Sequence, residues 1–105
     1  MPTELATKAD FDAAISGNAK VAVDFYATWC GPCRTISPKF EGFEKEFTNI
    51  KFFKVDVDKN EDTSSDCKIS AMPTFHFYKD GKKFDELIGA SEAQLKAKLE
   101  KLNAA

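Results

Sequence analysis

Two cysteines separated by two residues, Cys30-Gly31-Pro32-Cys33, are the part of this chain best suited to chemistry. A pair at that spacing can do one of two things. It can supply half the ligands of a zinc site, or it can act as a dithiol that exchanges with disulfides. The spacing alone leaves both open. Cys67 and His76 could formally complete a Cys3His zinc set. However, His76 lies in the middle of a strand-like run and the spacings match no familiar zinc motif, so His76 reads as a packed strand residue. Cys67 reads as a small buried hydrophobe. A third candidate is Asp24, the only break in the apolar run from Val21 to Ala27 just before the cysteines.

The elements around the pair weigh on the choice. Val21 to Ala27 is a near-continuous run of strand formers, the pattern of a strand buried on both faces at the centre of a sheet. From Gly31 to Phe47 the period changes. Ile36, Phe40, Phe43 and Phe47 form one apolar stripe, which predicts an amphipathic helix, with Pro38 interrupting its backbone bonding. The cysteines therefore sit where a central strand gives way to a helix. A helix N-terminus presents unpaired N–H groups and the positive end of the dipole, and both favour a thiolate. Cys33, one turn on, can close on Cys30 after a mixed disulfide forms. Gly31 allows a tight approach and Pro32 suits the first helical turn.

Further elements follow by the same patterns. Asp10 to Ser16 reads as a short helix, ended by Gly17-Asn18. Ile50 to Val57 is a strand and Glu61 to Cys67 a short helix. Thr74 to Tyr78 and Lys83 to Ile88 flank the turn signal Asp80-Gly81 and predict an antiparallel hairpin. Ser91 caps a final helix with Leu95, Leu99 and Leu102 on its buried side, and Gln94 can complete a capping box. A short strand near Glu4 to Ala6 precedes them all. Strands alternating with helices, then a strand–strand–helix end, predict an α/β fold: a central mixed sheet of four to five strands with helices on both faces.

Composition bounds the rest. The chain of 105 residues is the size of one domain, 1–105, and its 43% hydrophobic content, with ten Phe, suffices for a core without staples. The net charge is -2 and no basic run marks a nucleic-acid or membrane surface. No apolar run approaches the ~20 residues of a membrane span. Met1-Pro2-Thr3-Glu4-Leu5 does not read as a secretory signal, and three cysteines are too few for a disulfide scaffold. The expected setting is reducing and cytoplasmic.

Taken together the chain resembles the thioredoxin family along nearly its whole length. The residues that carry the resemblance are Val23-Asp24-Phe25-Tyr26-Ala27-Thr28-Trp29-Cys30-Gly31-Pro32-Cys33, Pro38, Val55-Asp56-Val57-Asp58, Met72-Pro73-Thr74, Gly81 and Gly89-Ala90. The Trp-Cys-Gly-Pro-Cys block is the most specific of them. The resemblance implies a thioredoxin fold and a general protein disulfide reductase that maintains cellular redox homeostasis. It implies Cys30 as nucleophile, Cys33 as resolving thiol, and the pair as the redox disulfide. Asp24 would be a buried proton acceptor, modulated by Lys54 on the neighbouring strand. Pro73 matches the family's cis-proline. Trp29, Gly31, Pro32, Met72, Pro73, Gly89 and Ala90 would form the client-docking patch. No cofactor would be bound; electrons would come from NADPH through a separate thioredoxin reductase. Peroxiredoxins, ribonucleotide reductase and methionine sulfoxide reductases would be clients. The expected state is a monomer. Certain animal relatives carry a Cys immediately before Met-Pro that can link two molecules, and that position is Ala71 here. Two rivals stand beside this reading. One is an oxidase or isomerase domain of the protein disulfide isomerase type, which usually has a His between its cysteines. The other is a binding module, which need not keep both cysteines.

Overall fold

The computed structural model describes all residues, Met1 to Ala105. Five strands and four helices alternate along the chain: β1 (Thr3–Glu4), α1 (Lys8–Ser16), β2 (Lys20–Tyr26), α2 (Gly31–Glu46), β3 (Lys51–Asp56), α3 (Glu61–Asp66), β4 (Thr74–Lys79), β5 (Lys82–Ile88) and α4 (Glu92–Ala104). The strands make one mixed sheet in the order β1-β3-β2-β4-β5. The apolar run expected at the sheet centre is indeed the middle strand. β2 runs parallel to β3 and antiparallel to β4.

Alternation along β2 decides what each face receives, because successive side chains point to opposite sides. Ala22 faces α2 and α4, in a cluster with Phe40, Phe43, Phe52, Phe75 and Leu99. Val21, Val23 and Phe25 face the other way, toward Phe11 and Ala14 of α1, with Val55 and Tyr78 beside them. Helices therefore cover both faces, as an α/β reading of the sequence requires. The stripe Ile36, Phe40, Phe43 and Phe47 packs as one side of α2 and its C-cap. Within it the Phe40 ring lies 4.9 Å from Phe52 and 5.4 Å from Phe75.

Local chemistry sets the ends. Thr7 caps α1, Asn60 caps α3 and Ser91 caps α4, each side chain accepting a backbone N–H of the first turn. Ser91 accepts from Gln94 at 3.2 Å, but the Gln94 side chain makes no return bond, so only half of the capping box forms. Asp80 and Gly81 take positive φ, 52° and 82°, and close the β4–β5 hairpin. The first strand is only two residues long and begins one residue earlier than the short strand expected near Glu4 to Ala6. It joins the sheet by pairing parallel to β3.

Candidate active site

The chain leaves β2 at its carboxyl end and enters α2 through Cys30, the N-cap residue of that helix. The Cys30 Sγ accepts the Cys33 N–H at 3.2 Å, so the sulfur itself caps the helix. Cys30 and Cys33 are bonded to each other as a disulfide, with Cα atoms 5.3 Å apart. Pro32 lies in the first turn, where a missing N–H is tolerated. Nothing lies within 4 Å of where a Gly31 side chain would begin, so the backbone there opens directly to the surroundings.

The two sulfurs have different environments. Cys30 Sγ lies 3.7 Å from the Met72 carbonyl oxygen. The Met72–Pro73 peptide bond is cis. Behind Pro73, the Gly89 N–H donates to the Pro73 carbonyl at 2.9 Å, which brings Gly89 and Ala90 alongside this loop. Trp29 is 64% exposed, and its indole N–H donates to Asp58 at 2.8 Å. Trp29, Gly31 and Pro32 adjoin the cysteines in the chain and Met72 packs against Cys30 and Cys33, while Pro73 is buried and Met72 and Gly89 are half-buried.

Cys33 looks inward. It lines a pocket of about 360 Å³ together with Asp24, Tyr26, Thr28, Arg34, Ser37 and Lys54, and Cys30 does not. Asp24 is 3% exposed and its Oδ1 has no hydrogen-bond partner. Burial pushes its carboxyl up to about 7; the Lys54 ammonium works against this and the Glu4 carboxylate adds to it. Lys54 is the register partner of Asp24 on β3, as alternation predicts. It does not close an ion pair with Asp24. Its Nζ instead lies over the Tyr26 ring, 5.8 Å from the centroid. Arg34 donates from Nε and a terminal nitrogen to the Thr28 carbonyl, at 3.2 and 2.7 Å, and so ties the loop before the disulfide to the helix after it.

The four residues of the zinc alternative are not brought together, and no group of three or more His, Cys, Asp or Glu side chains is placed to hold a metal ion. His76 and Asp24 lie on opposite faces of the sheet: the register partner of His76 on β2 is Val23. The His76 ring packs 5.0 Å from Phe25, and its Nδ1 lies 3.2 Å from the Tyr78 hydroxyl. Cys67 is half-buried, with its sulfur 3.9 Å from the same hydroxyl, and burial pushes its thiol up, away from ready ionisation. Two partners at the site were not singled out by sequence reasoning. Asp58 holds Trp29, and Glu4 takes the Tyr26 hydroxyl at 2.5 Å. Asp58 stands in the Val55-Asp56-Val57-Asp58 block, but its spacing from Trp29 carries no periodic signal.

Comparison with known proteins points the same way. A family model described as Thioredoxin matches residues 2–101. A thioredoxin of Geodia cydonium is 51% identical over 92% of this chain and 94% of its own. The solved Plasmodium falciparum thioredoxin superposes with a TM-score of 0.93 at 43% identity, over 94% of this chain and 97% of that one. A further solved chain, described with the thiol resolving mechanism of yeast mitochondrial 1-Cys peroxiredoxin, gives a TM-score of 0.93 at 36% identity, over 96% and 95% of the two chains. A disulfide that caps a helix at the end of the central strand is a dithiol–disulfide exchange centre, and with these matches the chain belongs to the thioredoxin family of protein disulfide oxidoreductases, which work without a bound cofactor.

Proposed function

We propose that the protein acts as a single domain, 1–105, in the reductive direction, as a general reductant of protein disulfides. One observation carries the division of labour: Cys33, and not Cys30, shares a pocket with a buried carboxyl. Cys30 is the attacking thiolate, favoured by the α2 N-terminus it caps. It bonds to one sulfur of the client disulfide, and the other client sulfur leaves as a thiolate and takes a proton. Cys33 then gives its proton to Asp24, attacks the Cys30 sulfur and breaks the mixed disulfide. The second client thiol departs and the Cys30–Cys33 disulfide remains. Two electrons have passed from the cysteines to the client; one client thiolate takes the Cys33 proton from Asp24, and the other takes its proton from solvent. Lys54 tunes Asp24 through its charge.

Trp29, Gly31, Pro32, Met72, Pro73, Gly89 and Ala90 form the surface that receives an extended client segment, with the Met72 backbone as its polar anchor. A separate NADPH-dependent thioredoxin reductase restores the dithiol. Peroxiredoxins, ribonucleotide reductase and methionine sulfoxide reductases are the client types, and the similar chain described with a yeast peroxiredoxin supports the first of these. The three-cysteine composition suits electron transport in the reducing cytoplasm, by a monomer.

Trapping tests the assignment. Cys33→Ser should accumulate covalent mixed disulfides with oxidised client proteins, resolvable by added dithiol on a non-reducing gel. Cys30→Ser should accumulate few. Equal trapping by both variants, or by neither, overturns the roles given to the two cysteines.

A further inference from the structure

The row of side chains that crosses the sheet at Asp24 does not end at Lys54. Glu4 on β1 is the register partner of Lys54, and Lys54 is the register partner of Asp24. Partners across neighbouring strands project to the same face, and neighbouring strands lie ~4.8 Å apart. One ammonium therefore stands between two carboxylates. It pairs directly with neither, since its Nζ lies over the Tyr26 ring and Asp24 Oδ1 is unpartnered.

Glu4 is exposed, yet its carboxylate is fixed. One oxygen accepts the Tyr26 hydroxyl at 2.5 Å and the other accepts the Asp56 backbone N–H at 3.0 Å. The Leu5 N–H donates to the Lys54 carbonyl at 2.9 Å and holds the strand beside β3. Both of Glu4's donors are neutral, so neither cancels its charge. The other ionisable groups facing Asp24 are Cys33 and Arg34 from α2, Tyr26 from β2, and Asp56 one step along β3. From β4 the facing residue is Phe75, which carries no charge. Lys54 and Arg34 are the only cations in the set, and Arg34 is engaged by the Thr28 carbonyl.

We propose that Glu4 is a positioning residue for the proton-transfer step: held by Tyr26 and Asp56, it draws Lys54 away from Asp24 and leaves that carboxyl without a full counter-ion. The inference rests on the reading of Asp24 as proton acceptor. It explains why a lysine in register with a buried aspartate fails to bond to it. It also gives the two-residue β1 a chemical purpose besides covering a sheet edge. The opposed influences of Lys54 and Glu4 on Asp24 agree with it.

The test is the titration of the Asp24 carboxyl carbon by NMR in the oxidised protein, for wild type, Glu4→Gln, Lys54→Met and the double variant. Glu4→Gln should lower the Asp24 midpoint by roughly half a pH unit, the scale of one solvent-screened charge at ~10 Å. The shift should shrink in 1 M salt, and should shrink again in the Lys54→Met background. Loss of β1 packing would also lower the midpoint by admitting water, but equally in both backgrounds and at any salt. That result, or an unmoved midpoint, overturns the role of Glu4. The pH profile of client release from the mixed disulfide separates the underlying reading. If the midpoint moves in Glu4→Gln and the release profile follows, both stand. If the midpoint moves and the release profile does not, Asp24 is not the acceptor for Cys33 and the proposed role of Glu4 in proton transfer falls with it.

Discussion

Asp24 is a carboxyl held where a charge is poorly solvated, in a strand with partners on both sides. Its proton affinity is raised, so the folded protein binds a proton there that the unfolded chain releases above about pH 4. Stability linked to Asp24 is therefore undiminished below that pH and declines as pH rises toward 7. Three decades of pH correspond to ~4 kcal/mol, as an upper scale for one site. Asp24→Asn should be more stable than wild type at pH 8 by up to that amount, with the difference vanishing below pH 4. Urea unfolding across that range checks it. The same variant should resolve mixed disulfides slowly, and its rate should lose the wild-type rise near pH 7. Trp29 offers a second residue-scale test. It is the sole tryptophan, and the Asp58 carboxylate holds its indole at 2.8 Å. Asp58→Ala should lower the fluorescence anisotropy of Trp29 while the fold, read by far-ultraviolet dichroism, is unchanged.

At the scale of elements, α2 is the part on which the site depends most. Its first turn carries the disulfide and its apolar side is keyed to the sheet by Phe40, which is 1% exposed between Phe52 and Phe75. Phe40→Ala should destabilise the protein by ~3–5 kcal/mol in chemical denaturation, through lost burial and a residual cavity. Ser91→Ala removes only the N-cap of α4 and should be milder, ~1 kcal/mol. The elements were legible in the sequence to the extent that they repeat. The run of β2, the stripe of α2 and the leucines of α4 each follow a pattern that burial imposes, which places both ends of β2 and α2 within a residue and the start of α4 at its Ser91 cap. Cys30, Cys33 and Asp24 were legible because they interrupt or follow such runs, and Lys54 because alternation fixes its side. Glu4, Tyr26 and Asp58 were not marked as partners. Their hydrogen bonds join side chains far apart in sequence, and they depend on strand register and loop path rather than on any periodic pattern.

For the molecule as a whole, two buried titrating groups on opposite faces of the sheet act against each other. His76 is packed against Phe25 and Tyr78, and burial, followed by the charge of Lys83, holds its ring down to about 4 despite Glu86. There the unfolded chain binds the proton more readily, so stability linked to His76 rises with pH from about 4 to 6.5. Asp24 slopes the other way across the same interval. The wild-type protein should thus show a shallow stability profile from pH 4 to 6.5. Asp24→Asn should uncover a clear rise over that interval, measured by the urea midpoint, and a flat profile in that variant would contradict the opposed linkage.

The central position of β2 has a consequence for how the protein fails. A strand with neighbours on both sides opens only after its neighbours have let go, whereas β1 and β5 sit at the two margins of the sheet. The amides of β2 should exchange with solvent deuterium last, at the rate of complete unfolding, and those of β1 first. The disulfide hangs from the end of that last-opening strand. Fraying at the margins therefore leaves the cysteines in register, and redox competence should persist until the chain unfolds as a whole.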